Sequence, residues 1–209
     1  MARVPRVPSS VHGARTPIVG IDVETANPQH GAVCAIGVSV VQRGSVLRER
    51  HWYINPVTRF DPRFVAIHGI TPERVRGAPT LRDAWSDVHR FISATLAETR
   101  SPNLFESAEQ ITTSYASDAF GLTGEIPPLF VAHNAQFDRM QIERALGSPL
   151  PFRLACTVAM SRRAFPQLDR HNLAAVSAHL RITLQHHDAL SDARACALIA
   201  YRCIAGPSK

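Results

Sequence analysis

Lysine is almost missing from this chain: Lys209 is the only one, and the rest of its 23 basic side chains are arginine. Arginine carries a planar, permanently charged fork that suits phosphate. GC-rich coding produces the same bias, so the composition weighs little by itself. Cysteine is also scarce. Cys34, Cys156, Cys196 and Cys203 are the four present, none forms a CxxC pair, and no secretory h-region opens the chain. That argues against a disulfide scaffold or a thiolate zinc site and for reduced thiols in a cytoplasm. Cys196 and Cys203 lie seven apart in an apolar helical pattern and read as core. Long apolar runs are absent, which excludes a membrane-spanning helix from the reading. Acidic residues number 17, leaving a net charge of +6. A basic balance favours an anionic partner such as nucleic acid without establishing one. At 209 residues and 45% hydrophobic, the chain suits one domain with a sizeable core.

Residues 1–16, rich in Pro, Ser and Arg, read as a flexible basic arm. Residues 18–24, 33–41 and 46–54 read as three strands of an antiparallel meander. An irregular stretch containing Ile67-His68-Gly69-Ile70-Thr71 follows. Thr80 with Asp83 opens a helix whose apolar positions have helical spacing. Residues 129–132 are a short strand, Asn134 stands where an N-cap would before a helix to Leu146, and 152–155 make a fifth strand. Three helices, near 156–165, 172–180 and 188–204, close the chain. A meander followed by strand–helix units predicts an α/β fold: a mixed five-stranded sheet flanked by helices, with a crevice at strand ends.

Asp22 and Glu24 alternate with Val19, Ile21 and Val23, so the two acids share one face of a strand and the apolar residues share the other. Like charges buried together need a cation; a strand end reaching solvent is the other reading. Asp138 falls in a first helical turn, where the helix dipole alone would accept it. Asp188 suits a cap for the last helix, and Asp192 stands one turn inside an almost wholly apolar helix. A carboxylate buried there needs a partner, either an arginine or a metal shared with Asp22. His187 is free to face the same crevice. Four acids and one histidine without thiolate suit magnesium or manganese. Two such ions about 4 Å apart are the usual machinery for attack on a phosphodiester, and a histidine can take the proton from water.

These residues also fall into motifs. Asp22-Val23-Glu24-Thr25 is the first, His133-Asn134 with Phe137-Asp138 the second, and His187 five residues before Asp192 the third; His186 stands one position too early. IHGIT at 67–71 is an accessory segment. In this order they resemble the DEDDh (DnaQ-like) 3′→5′ exonucleases across about residues 17–204, and most of all the stand-alone bacterial members.

The resemblance implies a ribonuclease H-like fold and two-metal hydrolysis that releases nucleoside 5′-monophosphates. Asp22, Glu24, Asp138 and Asp192 would ligate two Mg2+ or Mn2+ ions, and His187 would be the general base. Thr25, Ile67, His68, Ile70, Asn134 and Phe137 would contact the substrate. That substrate is expected to be a single-stranded or 3′-terminal nucleic acid, DNA before RNA; an exoribonuclease and a catalytically silent binding module are the alternatives. One departure from the pattern is a polar insertion at 97–128. The chain ends at Lys209, just past the last helix, with no tail of the kind that holds a polymerase, so a free-standing enzyme with a short 205–209 tail is expected.

Overall fold

The computed structural model describes residues 13, 15–99 and 127–206. Most of the predicted basic arm, most of the 97–128 insertion and the last three residues lie outside the described residues. Five strands form one sheet in the order β3-β2-β1-β4-β5. They are β1 (Ile18–Thr25), β2 (Val33–Gln42), β3 (Ser45–Tyr53), β4 (Leu129–Ala132) and β5 (Leu154–Cys156). β1 pairs antiparallel with β2 and parallel with β4, so it is the central strand and the place where the sheet changes direction. The mixed sheet and the meander match the expectation from sequence; β5 starts at Leu154, two residues later than expected.

Hydrophobic spacing explains the helices that cover the sheet. In α3 (Leu81–Glu98), Leu81, Ala84, Val88, Ile92 and Leu96 are buried at the i, i+3, i+4 intervals of one helix face. Thr80 Oγ1 caps it by accepting the Asp83 N–H at 3.3 Å and donates to the Asp83 carboxylate at 2.6 Å. With α4 (Ala135–Leu146) it encloses the larger core, built on Val19, Ile21 and Val23 of β1. α5 (Thr157–Ala164), α6 (Leu173–Leu180) and α7 (Ala189–Ala205) contribute to a second core that includes Ile18, Val131, Val176 and Cys196.

α7 lies against β1 and β2 because glycine permits it. A Cβ on Gly20 would overlap the carbonyl oxygen of Ala193, and one on Gly37 that of Ala189. Alanines line the buried face of α7, so its backbone sits close to the strand that carries Asp22 and Glu24.

The stretch after β3, expected to be irregular, contains two short helices, α1 (Pro62–His68) and α2 (Pro72–Val75). Each is announced by a cap followed by proline. Asp61 accepts the Arg63 N–H at 2.9 Å, Thr71 accepts the Arg74 N–H at 3.4 Å, and the prolines occupy the first helical position. Neither helix is long enough to show a hydrophobic period, and α1 has no buried residue; the caps were the readable signal. No helix among the described residues is long and apolar enough to cross a membrane.

Candidate active site

β1 runs past the end of β4. Their pairing ends at Gly20–Val131, which leaves the Val23 N–H on the β4 side to find another acceptor. Asp138, in the first turn of α4, supplies it: Oδ1 accepts the Val23 N–H at 3.3 Å. Asp192 reaches the same place from the first turn of α7, whose cap is Asp188 accepting the Ser191 N–H at 2.8 Å. Carboxylate oxygens of Asp22, Glu24 and Asp192 lie within 4.8 Å of one another. Asp22 is half-buried, while Glu24, Asp138 and Asp192 are 9%, 2% and 4% exposed.

Burying so many carboxylates without a counter-ion makes ionisation costly. Desolvation, then repulsion from Asp192, Asp138 and Asp188, pushes Glu24 from its ordinary 4.5 to about 8. Desolvation likewise raises Asp138 to about 7, opposed by the bonds it accepts from backbone. Asp22 is raised well above its usual range by burial and then by Asp138, Glu24 and Asp192. Asp192 is also raised by burial, its bonds from His186 and His187 opposing the shift. Asp192 Oδ2 accepts from His186 Nδ1 at 2.9 Å and from the His187 N–H at 3.2 Å. Its other oxygen, Oδ1, is buried with no hydrogen-bond partner. A divalent cation fits: the donors are all oxygen, their repulsion requires positive charge, and one oxygen lacks a partner.

His187 adopts a left-handed backbone, φ 66°. Its backbone N–H, rather than its ring, holds Asp192. The ring is exposed and stacks on that of His186, with centroids 3.9 Å apart at 16°. Desolvation and His186 lower its pKa from 6.5, which leaves the imidazole unprotonated at neutral pH. His68 lies close enough for His187 to lower its pKa as well, after the larger effect of desolvation.

The other expected contacts separate by burial. His68 links Thr25 O at 3.1 Å to the Ile70 N–H at 3.0 Å, which requires a proton on Nε2 and a lone pair on Nδ1. Ile67 is 52% exposed and Phe137 is exposed too. Ile70 is 7% exposed and packs in a third core cluster with Ala26, Cys34 and Val75. Asn134 stands at the N-cap position of α4, as expected. It has φ 68° and makes no side-chain cap bond, leaving its amide exposed.

Two features escaped the sequence reading. His186, set aside as one position early, is the ring that contacts Asp192. His133 bridges Thr157 Oγ1 at 2.9 Å and His171 O at 3.0 Å, and Ser161 contacts His171 Nδ1 at 3.1 Å. That network ties the end of β4 to α5 and to the approach to α6. A cavity of about 350 Å³, lined by Asn27, Gln29, Thr58 and Arg59 among others, opens just beyond Thr25.

A mixed five-stranded sheet flanked by helices, with acids converging at the end of its central strand, is a ribonuclease H-like fold. Residues 19–104 match the RNase_T family model, described as exonuclease. The chain is 24% identical over 187 residues to the PolC-type DNA polymerase III of Clostridium perfringens, covering 87% of this chain and 11% of that protein. It is 26% identical over 177 residues to exodeoxyribonuclease 10 of Escherichia coli K12, covering 82% and 61%. The chain therefore spans only part of these relatives. Among solved structures, exonuclease X in complex with 5′ overhanging duplex DNA is similar, with TM-score 0.60, 23% identity and coverage of 89% and 90%. The nuclease domain of 3′hExo, a DEDDh family member bound to rAMP, has TM-score 0.64, 16% identity and coverage of 90% and 91%.

Proposed function

We propose that this chain is a divalent-cation-dependent 3′→5′ exonuclease that removes nucleoside 5′-monophosphates one at a time, with DNA as its preferred strand. The observation that carries this reading is the convergence of Asp22, Glu24, Asp138 and Asp192 from β1, α4 and α7 on one crevice, with Asp192 Oδ1 left unpartnered. These four would hold two Mg2+ or Mn2+ ions, which when bound supply Lewis-acid stabilisation and an activated water. His187, kept neutral at the lip of the crevice, receives the proton of the attacking water at an imidazole nitrogen. Thr25 and Asn134 contact the terminal sugar and phosphate, and exposed Ile67 and Phe137, with His68, pack on the terminal base. Apolar and ring contacts of this kind tolerate any base.

Similarity to exodeoxyribonuclease 10 and to exonuclease X with duplex DNA supports DNA and a role at 3′ ends in repair or proofreading. An RNA-trimming role is the second reading, supported by similarity to a 3′-exonuclease that recognises the histone mRNA stem-loop, TM-score 0.65. The free thiols of all four cysteines support a cytoplasmic location.

The test uses 5′-labelled DNA and RNA oligomers of one sequence, with Mg2+, Mn2+ or EDTA, and Asp22→Ala as control. A metal-dependent ladder of shortened DNA, lost in the variant, is expected. Intact DNA under every metal condition overturns the proposal, and faster loss of RNA overturns the substrate preference.

A further inference from the structure

Asp192 belongs to two groups of ligating atoms. One is the carboxylate group with Asp22 and Glu24; in the other, nitrogens of His186 and His187 lie with an Asp192 oxygen within 4.8 Å of one another. Two imidazoles and a carboxylate make a different donor set from the all-oxygen group. Nitrogen donors select borderline cations such as Zn2+ over Mg2+. The contact already present is close to the required size. Zn–N and Zn–O bonds of about 2.0–2.1 Å at a tetrahedral angle put adjacent donors about 3.3 Å apart, and His186 Nδ1 stands 2.9 Å from Asp192 Oδ2. Both histidines are exposed, so solvent ions reach them.

We propose that His186, His187 and Asp192 form an inhibitory seat for Zn2+, separate from the carboxylate seat and sharing Asp192 with it. Zinc bound there occupies the His187 lone pair that would accept the proton of water and engages Asp192. The fourth position goes to water, as in open three-ligand zinc sites. The inhibitory consequence rests on the exonuclease reading; the binding itself does not.

The test is calorimetric titration of the full chain with Zn2+ in saturating Mg2+, comparing wild type, His186→Asn and Asp22→Asn. Asparagine retains a hydrogen bond to Asp192 but is a poor zinc ligand. Wild type and Asp22→Asn should bind one Zn2+ with similar affinity, and His186→Asn more than about tenfold more weakly, at least the loss that removing an outer-shell partner alone brings. In parallel, Zn2+ should inhibit the Mg2+-dependent nuclease, and His186→Asn should raise the inhibitory concentration by a similar factor. Zinc binding that survives His186→Asn, or that is lost in Asp22→Asn, overturns the proposal. An inactive wild type that still binds Zn2+ through His186 leaves the seat standing and refutes the exonuclease reading alone.

Discussion

Replacing Glu24 with glutamine should make the metal-free protein more stable. Glu24 rises from 4.5 to about 8 on folding, first through desolvation and then through the charges of Asp192 and Asp138. Below 4.5 the folded and unfolded chains both hold the proton and there is no penalty. As the pH rises the unfolded chain ionises first, so stability falls steadily until about pH 8, where the folded chain also ionises. At pH 7 the penalty amounts to about 3 kcal/mol. A glutamine amide lacking a full set of partners costs about 1 kcal/mol in return. The net gain is about 2 kcal/mol, or roughly 4–8 °C in Tm for a chain of this size. The assay is thermal unfolding in EDTA at pH 5 and pH 8, followed by circular dichroism. Wild type should melt lower at pH 8 than at pH 5, and Glu24→Gln should close much of that gap. Adding Mg2+ at pH 8 should raise the wild-type Tm far more than that of the variant. A variant that melts at or below wild type at pH 8 in EDTA refutes the claim that this crevice stores carboxylate repulsion for a cation to relieve.

Asp192→Asn should lower kcat by more than about a hundredfold, beyond the losses seen for outer-shell partners of metals, and weaken Mn2+ binding in a titration. His187→Ala should lower kcat by about 10²–10⁴-fold while leaving oligonucleotide affinity in Ca2+ within about twofold of wild type; a large affinity loss would mean that the ring binds substrate instead. Gly37→Ala places a methyl group against the Ala189 carbonyl and should cost about 1–3 kcal/mol by overpacking, measured by urea unfolding. The same change should weaken Mg2+ stabilisation, because the displaced end of α7 carries Asp192.

Much of the architecture was legible because it rests on short-range pattern. The alternation in Ile18–Glu24 separates apolar from acidic faces, and the Thr80–Asp83 pair marks the start of α3. Asp188 reads as the cap of α7 and caps it. By contrast, α1 and α2 are too short to carry a period, and Ile70 sits in a segment whose inward and outward residues follow from its packing on Ala26 and Cys34.

The sequence alone determined which strand carries the paired acids, which helices carry Asp138 and Asp192 in their first turns, and that the donors are oxygen-rich. Those follow from residue chemistry and from the periods of strand and helix, which are local properties. Tertiary structure decided what the acids meet. β4 ends early and frees the Val23 N–H for Asp138, and Gly20 and Gly37 admit α7 to the sheet so that Asp192 reaches Asp22 and Glu24. It also decided which histidine touches Asp192. The left-handed backbone at His187 turns its N–H and the His186 ring onto one oxygen, and that direction depends on how the loop is anchored at both ends, which neighbouring residue types alone do not determine.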